Sequence, residues 1–167
     1  MKYDLKHCLV AIVGPTAAGK SEFALQLAQS LRGEIVNADS RQVYRYMDIG
    51  TNKPTLAERA LVPHHLIDVV EPDEDFSLAI YCKLATKVIK GIQKEEKLPL
   101  LVGGSGLYIW ALVEGWKIAQ VPPDQELRHQ LETRAEQEGV YSINLSLPNI
   151  DLASASKIHP SNTRRII

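Results

Sequence analysis

Eight consecutive residues have the types and spacing that hold phosphate: Gly14, Pro15, Thr16, Ala17, Ala18, Gly19, Lys20 and Ser21. They match the pattern G-x-x-x-x-G-K-[ST]. The glycines let successive backbone N–H groups turn inward around phosphate oxygens, and a helix opening near Lys20 adds the positive end of its dipole. Lys20 supplies a point charge, and the Ser21 hydroxyl can ligate Mg²⁺. The pattern specifies phosphate. It is silent on which phosphate compound and which reaction.

A second group sits in the string NADSRQVYR. Spacing alone leaves three roles open to Asp39: a helix N-cap, a partner of bound Mg²⁺, or a general base beside the phosphate loop. Arg41 and Gln42 are either ordinary surface residues or side chains that read phosphates and base edges. The string VGGSGLY carries Gly103, Gly104, Ser105 and Gly106 where many phosphate-loop enzymes place a metal-holding acid. Its absence argues against an ordinary ATPase. Asp68, ending HHLID, is a substitute acid or a strand-end cap. His64 and His65 are adjacent, so on a strand they point to opposite faces and make a poor metal pair. Trp110 and Trp116 are expected to pack a short helix. Lys157, His159, Arg164 and Arg165 form a basic cluster, read either as a solvated helix start or as a contact to RNA phosphate.

The elements that position these residues follow from hydrophobic periodicity. The apolar run 8–13 reads as a buried parallel strand ending at the phosphate loop. Phe23, Ala24, Leu27, Ala28 and Leu31 have helical spacing over 20–31, with Gly33 as the stop. Strands are expected at 34–38, 64–70 and 98–102, a loop-rich stretch at 47–63, a long helix at 77–95 and a short one reaching about Leu112. This order is that of an α/β, doubly wound parallel sheet of the P-loop NTPase-like kind, whose ligands sit at the carboxyl ends of the strands. Three of those ends carry the distinctive residues. Past residue 115 the character changes: Val121, Pro122 and Pro123 look like a linker, and 124–138 is a charged helix with Leu127, Leu131 and Ala135 on one side and Gly139 as its stop. The string HPSNTRRII begins another helix, with Asn162 or Thr163 as cap, and a helix one turn long has little to hold it. The expected organisation is therefore a catalytic core at 1–115 and the start of a helical insertion at 116–167, in a piece of a longer protein.

Composition bounds the remaining classes. The 167 residues are 45% apolar and 23% charged, with 19 basic against 20 acidic side chains and a net charge of −1. That excludes pervasive disorder and a generally basic nucleic-acid coat, but leaves room for a local basic groove. Cys8 and Cys82 are expected as buried, reduced thiols. No apolar run is long enough to span a bilayer, so the expected setting is cytoplasmic, or organellar if a transit segment has been left out.

Taken in order, GPTAAGKS, DSRQVYRYMDIGTNKPT, PHHLIDVVEPDEDFS, LLVGGSGLYIWALVEG and IHPSNTRRI resemble the tRNA dimethylallyltransferase (tRNA isopentenyltransferase) family over essentially the whole chain. The second string is far more specific than the phosphate loop. The resemblance implies transfer of the dimethylallyl group of dimethylallyl diphosphate to the exocyclic amine of the adenosine just 3′ of the tRNA anticodon. It implies that residues 14–21 cradle the donor's diphosphate, with Mg²⁺ on Ser21. Asp39 would be the base, with Ser105 beside it in the catalytic group. Ser40, Arg41 and Gln42 would line the adenosine and neighbouring tRNA. Ser105, Arg128, Thr163, Arg164 and Arg165 would be further tRNA contacts. The partners implied are the tRNA anticodon stem-loop and dimethylallyl diphosphate, with a monomeric enzyme and no membrane. Two local departures occur, Ser105 where Thr is commoner and Leu152 where Pro is usual. The activity is expected of the longer parent chain. Rival readings are an adenylate isopentenyltransferase, a P-loop small-molecule kinase and a non-enzymatic phosphate- or partner-binding domain.

Overall fold

The computed structural model describes residues 8–116, 118 and 124–167. They fall into two units, Met1–Ala119 and Gln120–Ile167. The predicted linker at 121–123 lies outside the described residues.

The first unit is built on four parallel strands, β1 (Val10–Val13), β2 (Gly33–Asn37), β3 (His64–His65) and β4 (Leu98–Gly103), in the order β1-β4-β2-β3. Helices cover both faces. On one, α1 (Lys20–Leu31) buries Ala24 and Ala28 against Ile35, Leu98, Leu100 and Val102. On the other, α3 (Leu78–Lys94) and α4 (Gly106–Val113) bury Tyr81, Ala85, Ile89, Tyr108 and Ile109 against Val36, Ala38 and Leu101. Ile35 and Val36, like Leu100 and Leu101, thus face opposite sides, as the period of two in a strand requires. All of β2 and β4 is buried, the mark of central strands in a doubly wound sheet.

Several expectations need correction. The 8–13 run forms a strand only from Val10, at the sheet's edge; it pairs with β4 alone, and Ala11 and Val13 are exposed. Arg32, not Gly33, ends α1, taking the left-handed cap (φ 52°) while Gly33 enters β2 opposite Leu98. The strand expected at 64–70 stops after His65. Leu66 and Asp68 both take positive φ (62° and 56°), which breaks the extended run, and Val70 rejoins only as a single bridge to Tyr44. The stretch read as loop contains α2 (Leu56–Leu61), opened by a full capping box between Thr55 and Glu58. Its T-x-x-E signature was present in the sequence. Trp110 and Trp116 remain 56% and 44% exposed, because α4 buries Tyr108, Ile109 and Ala111 instead.

The second unit contains α5 (Gln125–Glu138), α6 (Val140–Ser146), a 3₁₀ turn (Leu147–Asn149), α7 (Leu152–Ala155) and α8 (Thr163–Ile166). Asp124 caps α5, its side chain accepting from the Leu127 N–H, and Gly139 ends it at φ 85°. Of the apolar stripe predicted on α5 only Ala135 is buried, and Leu127 is exposed. Asn162 occupies the cap position of α8 but makes no side-chain cap bond.

Candidate active site at the strand ends

The carboxyl ends of β2 and β4, with His64 of β3 and the loop that follows β1, line a cavity of about 420 Å³. Its phosphate-loop wall is Thr16, Ala17, Ala18, Gly19, Lys20 and Ser21. Gly19 makes that wall possible: it caps α1 in the left-handed region (φ 75°), where a side chain is strained. Ala17 is held at φ 65° without that freedom. Gly14 and Pro15 form the stem of the loop, not its wall. The Pro15 carbonyl accepts from Lys20 Nζ at 2.6 Å, so the ammonium closes its own loop. The Ser21 hydroxyl lines the cavity and makes no hydrogen bond among the described residues.

Asp39 lines the same cavity. It caps no helix. One carboxylate oxygen, Oδ1, accepts from the Arg41 N–H at 2.9 Å, in a tight local turn. The other makes no hydrogen bond among the described residues. The residues after β2 are pinned to the end of β4. The Ser105 Oγ accepts from the Ser40 N–H at 2.8 Å, and the Ser105 N–H donates to Ala38. The approach is so close that a Cβ at Gly103 would overlap the Ala38 carbonyl. Ser105 is thus turned toward the backbone of Ser40.

Gln42 lines the cavity, but its amide group donates to the carbonyls of Thr51 (3.0 Å) and Asn52 (3.1 Å), which are themselves wall residues. Arg41 points elsewhere. With Ser40 it lines a second, shallower opening of about 360 Å³ bounded by Tyr44, Phe76 and Tyr108. Tyr108 is stacked on Tyr81 at 3.8 Å, which fixes that rim to the core.

Asp68 does not substitute for the missing strand-end acid. It binds Lys53 and Arg59, each at 2.7 Å, and is no part of the cavity wall. Burial pushes its carboxyl up, but hydrogen bonds from the two cations outweigh that and hold it below the usual range. Lys53 is only 2% exposed and donates to Asp68, Asp48 and the Tyr44 carbonyl, so the 44–54 stretch is anchored from inside. The two histidines differ in setting, His64 lining the cavity and His65 standing outside its wall. His64 Nδ1 donates to Val62, which a carbonyl partner requires, and burial pushes its pKa down. His65 meets Glu34 at 2.6 Å. Thr51, Asn52 and Lys53 carry no chemistry that spacing alone singles out, although all three sit in the specific string DIGTNKPT. In the second unit, Arg128, Arg164 and Arg165 are exposed, Thr163 is half-buried, and the three arginines form no salt bridge among the described residues.

The family model described as IPP transferase matches residues 42–167, and that described as isopentenyl transferase matches residues 7–67. This chain belongs to the IPP transferase family. A tRNA dimethylallyltransferase of Roseiflexus castenholzii is 56% identical over 95% of the chain and 52% of the relative. One from Pelotomaculum thermopropionicum is 48% identical over 97% and 51%. The solved full-length tRNA isopentenylpyrophosphate transferase of Bacillus halodurans superposes with a TM-score of 0.65 at 47% identity, over 95% of this chain and 52% of its own. A eukaryotic dimethylallyltransferase solved while acting on tRNA gives 0.76 at 31% identity, over 95% and 39%. The chain spans about half the length of the curated relatives it matches. Among the described residues no helix is long and apolar enough to cross a membrane.

Proposed function

We propose that this chain forms the donor-binding core of a tRNA dimethylallyltransferase. It takes the dimethylallyl group of dimethylallyl diphosphate, joins it to the exocyclic N6 amine of the adenosine just 3′ of the anticodon, and releases diphosphate. The observation that carries this reading is that Asp39 lines the same cavity as residues 16–21, so a proton acceptor and a cradle for a leaving anion share one space.

The chemistry needs both. An adenine amine is a weak nucleophile, because its lone pair is delocalised into the ring. The Asp39 carboxylate takes its proton as the N6–C1 bond forms, a contribution of about 10²–10⁴-fold for a positioned general base. The C1–O bond breaks, and its electron pair leaves with the diphosphate. The backbone N–H groups of residues 16–21 meet the growing negative charge, and Lys20 exchanges the Pro15 carbonyl for a phosphate oxygen. A hydroxyl, two phosphate oxygens and retained waters suit Mg²⁺, which rarely demands an all-protein cage; Ser21 would hold it. Bound there, the ion would neutralise charge on the departing diphosphate.

The adenosine has to leave its stack to reach Asp39. We assign its entry to the opening lined by Ser40, Arg41 and Tyr108, with Gln42 on the wall of the main cavity and Ser105 holding the Ser40 backbone. Arg128, Thr163, Arg164 and Arg165 are assigned to tRNA contact, which makes the second unit the start of an RNA-binding insertion. A cytoplasmic monomer completes the reading.

The test gives the full-length parent chain labelled dimethylallyl diphosphate with either an anticodon stem-loop or free AMP, with and without Mg²⁺, and the Bacillus halodurans enzyme as control. Label in the RNA alone is the expected result. Label in AMP alone would transfer the assignment to an adenylate isopentenyltransferase, and phosphate transfer from ATP without prenylation would overturn both.

A further inference from the structure

Asn37 is the last residue of β2, 3% exposed, and no motif singles it out. Its side-chain amide makes three hydrogen bonds. Oδ1 accepts from the Asp39 N–H at 3.0 Å; Nδ2 donates to the Asp39 carbonyl at 3.0 Å and to the Leu66 carbonyl at 3.0 Å. The amide therefore engages both the N–H and the C=O of Asp39, as a paired residue on a neighbouring strand would. The Asn37 backbone is itself anchored, its carbonyl accepting from the wholly buried Tyr81 hydroxyl at 2.9 Å.

We propose that Asn37 is a positioning residue: its amide clamps the peptide of Asp39 from both ends and so sets where the Asp39 carboxylate points. Asp39 has left the sheet at this point, and β4 can no longer pair with it. Instead, the Ala38 N–H pairs with Val102 and the Ala38 carbonyl with Ser105. Asn37 thus supplies a partner to both the N–H and the carbonyl of Asp39 at the point where the sheet no longer constrains its φ and ψ. With it, the carboxylate is placed where Oδ1 takes the Arg41 N–H and the side chain lines the cavity. The third bond, to Leu66, ties this geometry to the turn that ends β3.

The inference rests on the reading of Asp39 as the base, and two measurements separate them. The first is independent of turnover. Three-bond couplings of the labelled chain report the Asp39 χ1 rotamer. A single rotamer is expected in the wild type, and an average in Asn37→Ala, with the amide signals of residues 14–21 unchanged. Asn37→Ser, whose hydroxyl can replace one bond, is the milder variant and should restore the rotamer in part. A single Asp39 rotamer retained in folded Asn37→Ala, or no recovery at all in folded Asn37→Ser, would overturn the proposal. The second is kinetic. Asn37→Ala should lower kcat by about 10–100-fold, the scale of a misplaced reacting group, with the donor KM within about twofold. In an Asp39→Ala background it should lower kcat no further, because the group it positions is gone. Losses that multiply would assign Asn37 to general stability and overturn positioning. If Asp39→Ala alone leaves kcat intact, the base assignment fails, while the rotamer measurement still decides whether Asn37 orients that side chain.

Discussion

The phosphate loop and the Asp39 turn border one cavity, yet they are held by different means. Residues 14–21 are fixed from within: the Ala18 N–H donates to Pro15, Lys20 donates to Pro15, and the Phe23 N–H donates back to Gly19 as α1 begins. The turn after β2 has local bonds of its own, between Asn37 and Asp39 and from the Arg41 N–H to Asp39, but its anchors lie far away. They come from Ser105, 65 residues from Ser40, and from Tyr81 and Leu66, 44 and 29 residues from Asn37. The loop can hold its shape whenever α1 forms. The turn exists only once β2, β4 and α3 have assembled. Donor binding and base placement should therefore be separable by mutation, the first sensitive to local changes and the second to the core.

The strongest way to break this comparison is Asp39→Ala. It should lower turnover by about 10²–10⁴-fold while donor affinity stays near wild type. Isothermal titration with dimethylallyl diphosphate checks the second half, and a collapse of binding would make Asp39 a metal or structural residue. Lys20→Met probes the other side. Loss of a charge-assisted hydrogen bond, about 1.5–3 kcal/mol, should weaken donor affinity by about 10–100-fold. The Asp39 turn should keep its amide chemical shifts, and a shifted Ser40 signal would show that the two walls are coupled. Ser105→Ala removes the acceptor for the Ser40 N–H, so a loss of about 1 kcal/mol is expected, read as a several-fold fall in kcat with donor affinity unchanged. If donor affinity fell instead, the far-held turn would be part of the phosphate cradle.

The smallest expected effect concerns the network behind the cavity wall. Asp68 has a carboxyl lowered in the folded state, despite burial, by Lys53 and Arg59. A lowered folded value means its contribution is complete above the unfolded pKa of about 4 and is lost as pH falls through the folded value. Thermal melts between about pH 5 and pH 3 should show a steeper loss for wild type than for Asp68→Asn. Equal slopes would mean that the Lys53 anchor does not depend on this pair.

Much of this was written locally in the chain. The phosphate loop is a backbone conformation encoded by adjacent residues, with Gly19 supplying the left-handed cap and Lys20 opening the helix. The core strands β2 and β4 and the helix α3 follow from the apolar runs and helical periodicity, and the strings around residues 39–54 and 103–114 placed the chain in its family. The capping box of α2 is equally local, written in Thr55 and Glu58. What the tertiary structure decided is everything that depends on strand order. The sequence contains no period that puts β4 between β1 and β2, so it could not reveal that β1 lies at an edge, or that Ser105 reaches the Ser40 backbone. Nor could it choose among the roles of Asp39, because a carboxylate near a strand end can cap, ligate or accept a proton. Its place on the cavity wall rests on Asn37, whose bonds to both ends of its peptide are local, while the Tyr81 and Leu66 contacts that anchor Asn37 join residues that only the assembled sheet brings together.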